Sequence, residues 1–100
     1  MSIRHIVTWT LAAEDPAVKA EHAAGIAERL LPLVDVIDGL EALEVGANVA
    51  YPETNWDVAV NARFTDLDAL ERYQVHPMHL EAAAWVRTVV SARAGIDYAL

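Results

Sequence analysis

The sequence has no cysteine. That excludes disulfides, thiolate metal sites and a cysteine nucleophile, and it fits a reducing, cytoplasmic location. Basic residues are scarce: 7 Lys and Arg stand against 15 Asp and Glu, for a formal net charge of −8. The few that exist are scattered, so the chain would repel a phosphate backbone and no nucleic-acid partner is expected. Long apolar runs are missing as well. None approaches the ~20 residues that a membrane span requires. Met1-Ser2-Ile3-Arg4-His5 reads as the start of a strand, not as a basic stretch leading into a signal core, so no membrane association is expected. The sequence also lacks a Gly-rich phosphate loop, a serine nucleophile motif, internal repeats and linkers.

What the sequence does have is apolar surface, 55% of 100 residues. A chain of this length holds a single domain, here residues 1–100, and a small core buries a modest fraction of its surface. So much apolar character implies more than one buried face, and a partner subunit would add the missing burial.

Ile3, His5, Val7, Trp9 and Leu11 alternate with Arg4, Ile6, Thr8 and Thr10, the period-2 pattern of a strand. Asp15-Pro16 is an N-cap followed by proline at the first helical position. Ala23, Ile26, Ala27, Leu30, Leu31 and Val34 recur at helical spacing until Pro32 ends or kinks the helix. Leu43, Val45, Ala47 and Val49 predict a second strand, and Trp56, Val58, Val60, Ala62 and Phe64 a third. Asp66 caps a short helix carrying Leu67, Leu70 and Tyr73, and His76-Pro77 breaks it and starts another. The apolar stripe of that last helix is Met78, Ala82, Trp85, Val86 and Val89. Ala92, Ala94, Ile96 and Tyr98 supply the closing strand. The order is β-α-β-β-α-β, an α+β, ferredoxin-like arrangement with a four-stranded antiparallel sheet and helices on one face. The other face would carry Arg4, Ile6, Thr8, Glu44, Gly46, Ala59 and Asn61, a set too mixed to prove burial and too apolar for a merely solvated surface.

Three segments together resemble the stress-responsive A/B barrel (Dabb) family. They are Ile3-Arg4-His5-Ile6-Val7, then Phe64-Thr65-Asp66 with Leu70 to His79, and Ile96-Asp97-Tyr98. The most specific part is Tyr73-x-x-His76-Pro77-x-His79. The resemblance implies a homodimer in which two sheets pack face to face as a dimeric α+β barrel. Its best-known enzyme, the plant olivetolic acid cyclase, closes a linear polyketide by an aldol step with a tyrosine and a histidine. By position these fall on Tyr73 and His79, and the family's first-strand pocket histidine falls on His5. A third-strand pocket histidine falls on Val58, so that part of the polar network is missing.

The residues themselves add a chemical reading. His79 lies three positions before Ala82 and seven before Val86, so it points toward the buried stripe. In the first turn of its helix it is disfavoured as an imidazolium, and a neutral imidazole is what a general base needs. Tyr73 can donate to a substrate oxygen or hold the imidazole. His5 shares a strand face with Val7 and Trp9, and Val58, Val60, Phe64 and Trp85 would complete apolar walls around a small apolar or aromatic ligand. For Tyr73 and His79 a structural role and a ligand-facing role both remain open. His76 reads as a cap and His22 as a solvated side chain. His76, His79 and Asp97 make a poor metal set, and no metal or other cofactor is expected. Two functions are compatible with this pattern: a cofactor-free cyclase, lyase or isomerase acting next to a carbonyl, or a non-catalytic stress-associated dimer that binds a hydrophobic metabolite or protein. Cofactor-free monooxygenation is a third, resting on fold alone.

Overall fold

The computed structural model describes every residue from Met1 to Leu100. Its elements are β1 (Ile3–Leu11), α1 (Pro16–Leu30), a 3₁₀ turn (Leu31–Asp35), β2 (Leu40–Ala47), β3 (Val58–Phe64), α2 (Leu67–Val75), α3 (Pro77–Val89) and β4 (Val90–Ala99). All strand pairs are antiparallel, in the order β2-β3-β1-β4. β1 therefore lies inside the sheet, and its alternation is strict, with odd-numbered residues buried and even-numbered ones half-buried. The helices cover the odd-numbered side, and 20 buried hydrophobic residues fill the layer between.

The helix boundaries follow from caps. The Asp15 carboxylate accepts from the Ala17 N–H at 2.8 Å, ahead of Pro16. At the far end Pro32 has no N–H to continue the ladder, and the chain tightens into the 3₁₀ turn. The tighter winding corrects the predicted stripe: Leu31 is 41% exposed, whereas Leu33 and Ile37 enter the core. The Asp66 carboxylate accepts from the Ala69 N–H at 2.8 Å. His76 separates α2 from α3, and its Nδ1 accepts from the Met78 N–H at 3.1 Å, a capping role. Met78 itself faces outward, off the apolar stripe. Leu67 is exposed too.

The second strand starts earlier and ends earlier than its alternation suggests, and the third starts later. Val49 and Trp56 both lie in the connecting loop, because Asp57 closes the sheet at that level. Its carboxylate accepts from the Leu11 N–H at 2.7 Å, and its own N–H donates to the Trp9 carbonyl at 2.9 Å. β4 is an edge strand whose residues from Ser91 to Ala99 are all exposed. Its apolar residues Ala92, Ala94, Ile96 and Tyr98 pair with Thr10, Thr8, Ile6 and Arg4, so they lie on the face away from the helices. No helix is long and apolar enough to cross a membrane.

α1 packs tightly against α3 at Gly25. A Cβ on Gly25 would sit 2.5 Å from Cη2 of Trp85 and 3.2 Å from Nη1 of Arg29. Replacing a helical glycine by alanine ordinarily stabilises by up to ~1 kcal/mol. Overpacking against the indole reverses that sign, and Gly25→Ala is expected to destabilise by ~1–3 kcal/mol in urea unfolding. Adding Trp85→Leu should relieve the penalty. A Gly25→Ala protein more stable than the parent would contradict this packing.

Candidate functional site

A cavity of ≈220 Å³ lies between the helix-facing side of the sheet and the helices. Its apolar walls are Val7, Trp9, Leu30, Val60, Ala83 and Val86; its polar walls are His5, Tyr73, Gln74, His79, Arg87 and Arg93. The elements explain the grouping. His5, Val7 and Trp9 are successive residues of one face of β1. Tyr73 and Gln74 close the last turn of α2, and His79, Ala83 and Val86 share a face of α3 at i, i+4 and i+7. Arg93 arrives from β4 as the register partner of Trp9.

The rings of Tyr73 and His79 lie 4.1 Å apart, tilted by 44°. Nδ1 of His79 is 3.3 Å from the Gln74 carbonyl oxygen. A carbonyl only accepts, so Nδ1 carries the proton and Nε2 keeps its lone pair, with no partner in the chain. Burial holds the His79 imidazole below its usual range, and the charges of His5, Arg87 and Arg93 act in the same direction. The Gln74 carbonyl opposes them without prevailing. Tyr73 is buried, and desolvation pushes its phenol up to about 12 against a smaller downward pull from Arg93. Near neutral pH one ring is thus an uncharged acceptor and its neighbour a donor that keeps its proton. Nδ1 of the buried His5 is hydrogen-bonded to the Asp97 carboxylate, its register partner on β4. The His5 ring also meets Phe64 and Tyr73 edge-on, at 6.1 and 5.9 Å between centroids.

A model of the stress responsive A/B barrel domain, Dabb, matches residues 3–100. The chain belongs to the Dabb family. Among solved structures, a dimeric ferredoxin-like protein from Bacteroides fragilis is 28% identical to this Dabb chain, with a TM-score of 0.88 over 99% of it and 96% of that protein. A second, from Thermobifida fusca, is also 28% identical, with a TM-score of 0.84 over 100% and 92% of the respective chains. A hydroxynitrile lyase from Passiflora edulis superposes with a TM-score of 0.77 over 97% of this chain and 91% of its own, at 14% identity, a likeness of fold alone. No curated protein matches in sequence.

Of the residues expected around a site, the Dabb fold brings His5, Val7, Trp9, Val60, Tyr73 and His79 to one cavity. Val58, Phe64 and Trp85, also expected as walls, lie outside its lining. On β3 only Val60, the register partner of Val7, lines the cavity. Phe64 instead lies behind it, edge-on to Tyr73 at 5.1 Å. Trp85 is six residues past His79, which at ~100° per residue turns it about 120° away. It faces α1, beneath the Arg29 guanidinium at 3.5 Å from the ring centroid, with His22 edge-on at 6.3 Å. His22 is therefore packed and not simply solvated; its Nδ1 is buried without a partner. Asp97 serves His5, and the Nδ1 of His76 serves its helix, so they do not assemble with His79. Sequence reasoning missed Leu30, Gln74, Ala83, Val86, Arg87 and Arg93 as cavity residues. The signal for Arg93 was present: once the apolar residues of β4 take one face, Arg93 and Asp97 must take the other.

These environments give stability a definite pH dependence. His79 binds its proton more weakly folded than its usual 6.5, so the unfolded chain takes up protons first and stability falls as pH drops below 6.5. Tyr73 keeps its proton to about 12 when folded but releases it near 10 when unfolded, so stability also falls between those values. Urea midpoints across pH should show both slopes. His79→Gln should flatten the acid one and Tyr73→Phe the alkaline one, each leaving the other in place.

Proposed function

We propose that the protein is a homodimer whose cavity takes up a small apolar or aromatic molecule and moves a proton next to its carbonyl without a cofactor, in a cyclase, lyase or isomerase step. The observation that carries the chemistry is the opposite tuning of two adjacent rings, 4.1 Å apart. His79 accepts the α-proton at Nε2, and the Gln74 carbonyl at Nδ1 steadies the imidazolium that results. Tyr73 donates its hydroxyl proton in a hydrogen bond to the enolate oxygen as charge develops there. The proton then returns from His79 to the product carbon in an isomerisation, to the leaving group in a lyase step, or to the alkoxide oxygen formed when the enolate carbon closes onto a second carbonyl. Shielding by the aliphatic walls keeps these interactions strong.

Dimer formation is supported by the open sheet face. Ile6 is paired with Ile96, which is 60% exposed, and Tyr98 beside them is 44% exposed. Both 28%-identical neighbours are dimeric. Light scattering at micromolar concentration should give twice the 10.9 kDa of one chain. Ile96→Glu should shift the protein toward monomer, since an unpaired charge is costly to bury. A monomeric parent would remove this part of the reading.

A second reading, a non-catalytic dimer that holds a hydrophobic metabolite, is favoured by one observation: the sole hydrogen bond of His79 goes to a backbone carbonyl. Turnover separates the two. On a panel of aromatic and polyketide-like carbonyl compounds, His79→Ala should lower kcat by ~10²–10⁴-fold and Tyr73→Phe by ~10²–10³-fold. Parent activity should fall on acidification through the lowered His79 range. Ligand-dependent rises in melting temperature without turnover would establish the binding role in place of the catalytic one.

A further inference from the structure

The chain has 7 Lys and Arg residues in all, and two of them, Arg87 and Arg93, line one small cavity. No Asp or Glu lines it, although the sequence has 15. Neither arginine forms an ion pair: those in the structure join His5 to Asp97, Lys19 to Asp57 and Arg63 to Glu41. Both side chains are exposed, and five of the seven basic residues lack an ion pair; what sets these two apart in a chain of net charge −8 is that they converge on one half-apolar cavity.

Backbone geometry adds to this. Gly95 follows Arg93 on the same face of β4, between Arg93 and Asp97, and has no side chain to occupy that place. A Cβ there would lie 3.3 and 3.4 Å from the two terminal nitrogens of Arg93, so the guanidinium lies across the bare backbone. Asp97, the nearest carboxylate along the strand face, is already engaged by His5. The positive field reaches the reacting rings, since Arg93 lowers both Tyr73 and His79 and Arg87 lowers His79.

We infer that Arg93 and Arg87 make the cavity selective for a carboxylate carried on a small apolar or single-ring body. This rests on the cavity reading above and names the class of molecule it takes. A guanidinium fork matches a planar carboxylate, and the aliphatic side of Val7, Val60 and Val86 suits the body attached to it. Phosphate fits less well, because its usual cradle of backbone N–H groups on a Gly-rich loop is missing from this sequence. The ≈220 Å³ volume is below the ~300–1,000 Å³ common for larger ligands, which limits the body to about one ring.

Matched acid and amide pairs test this in the full dimer: benzoate against benzamide, and phenylacetate against phenylacetamide, by titration calorimetry. The parent should bind each acid at least about tenfold more tightly than its amide. Arg93→Gln and Arg87→Gln should each weaken acid binding roughly tenfold and leave amide binding unchanged. Unchanged melting temperatures would show that the variants remain folded, and should one fail to fold, the other carries the test. Equal binding of acid and amide by the parent, or acid binding untouched in a folded variant of either arginine, overturns the inference while the cavity reading stands. No binding by any acid or amide overturns the inference, and the cavity reading falls with it only if the carbonyl panel also gives neither turnover nor a rise in melting temperature.

Discussion

The contact between β1 and β4 brings the two ends of the chain side by side. His5 and Asp97, 92 residues apart in sequence, face each other across the strands, as do Trp9 and Arg93. Because paired residues share a face of the sheet, this one register places a carboxylate on the first-strand histidine and a guanidinium at the cavity wall. The helices supply the remaining polar groups from the other side. Such a non-local pairing forms only after the entropy of closing nearly the whole chain has been overcome, so the site is complete only when folding is complete.

Within that frame the chemistry comes from burial and not from unusual residue types. Tyr73 and His79 belong to different helices, and His76-Pro77 forces the bend that brings their rings together. Removing both from water acts on each in the direction set by its charged form. The phenol resists losing its proton and the imidazole resists gaining one. The guanidinium field reinforces the second effect and partly offsets the first. A single desolvated pocket thereby yields an acceptor and a donor without a metal ligand set: no three His, Asp or Glu side chains come together as an ion would need.

Much of this fold was legible in the sequence because its signals are local. The alternation of β1, the Asp15-Pro16 start of α1, the Asp66 cap and the break at His76-Pro77 each depend on a few neighbouring residues. Position in the resembled motif brought out His5, Tyr73 and His79 for the same reason. What was not legible depends on rotation or on partners far along the chain. Pro32 changes the helical pitch, and that exchanges Leu31 for Leu33 in the core. α3 has apolar residues on two sides, so periodicity alone could not tell that Trp85 faces α1 and Ala83 faces the cavity. Arg87 and Arg93 look like ordinary surface arginines until strand order and register are known.

β4 divides its labour by parity. Positions 93, 95 and 97 shape the cavity side, while 92, 94, 96 and 98 form the open face. The two sets point in opposite directions and share only the backbone. Side chains at the odd positions can therefore change the cavity side while the even ones leave the outer face as it is.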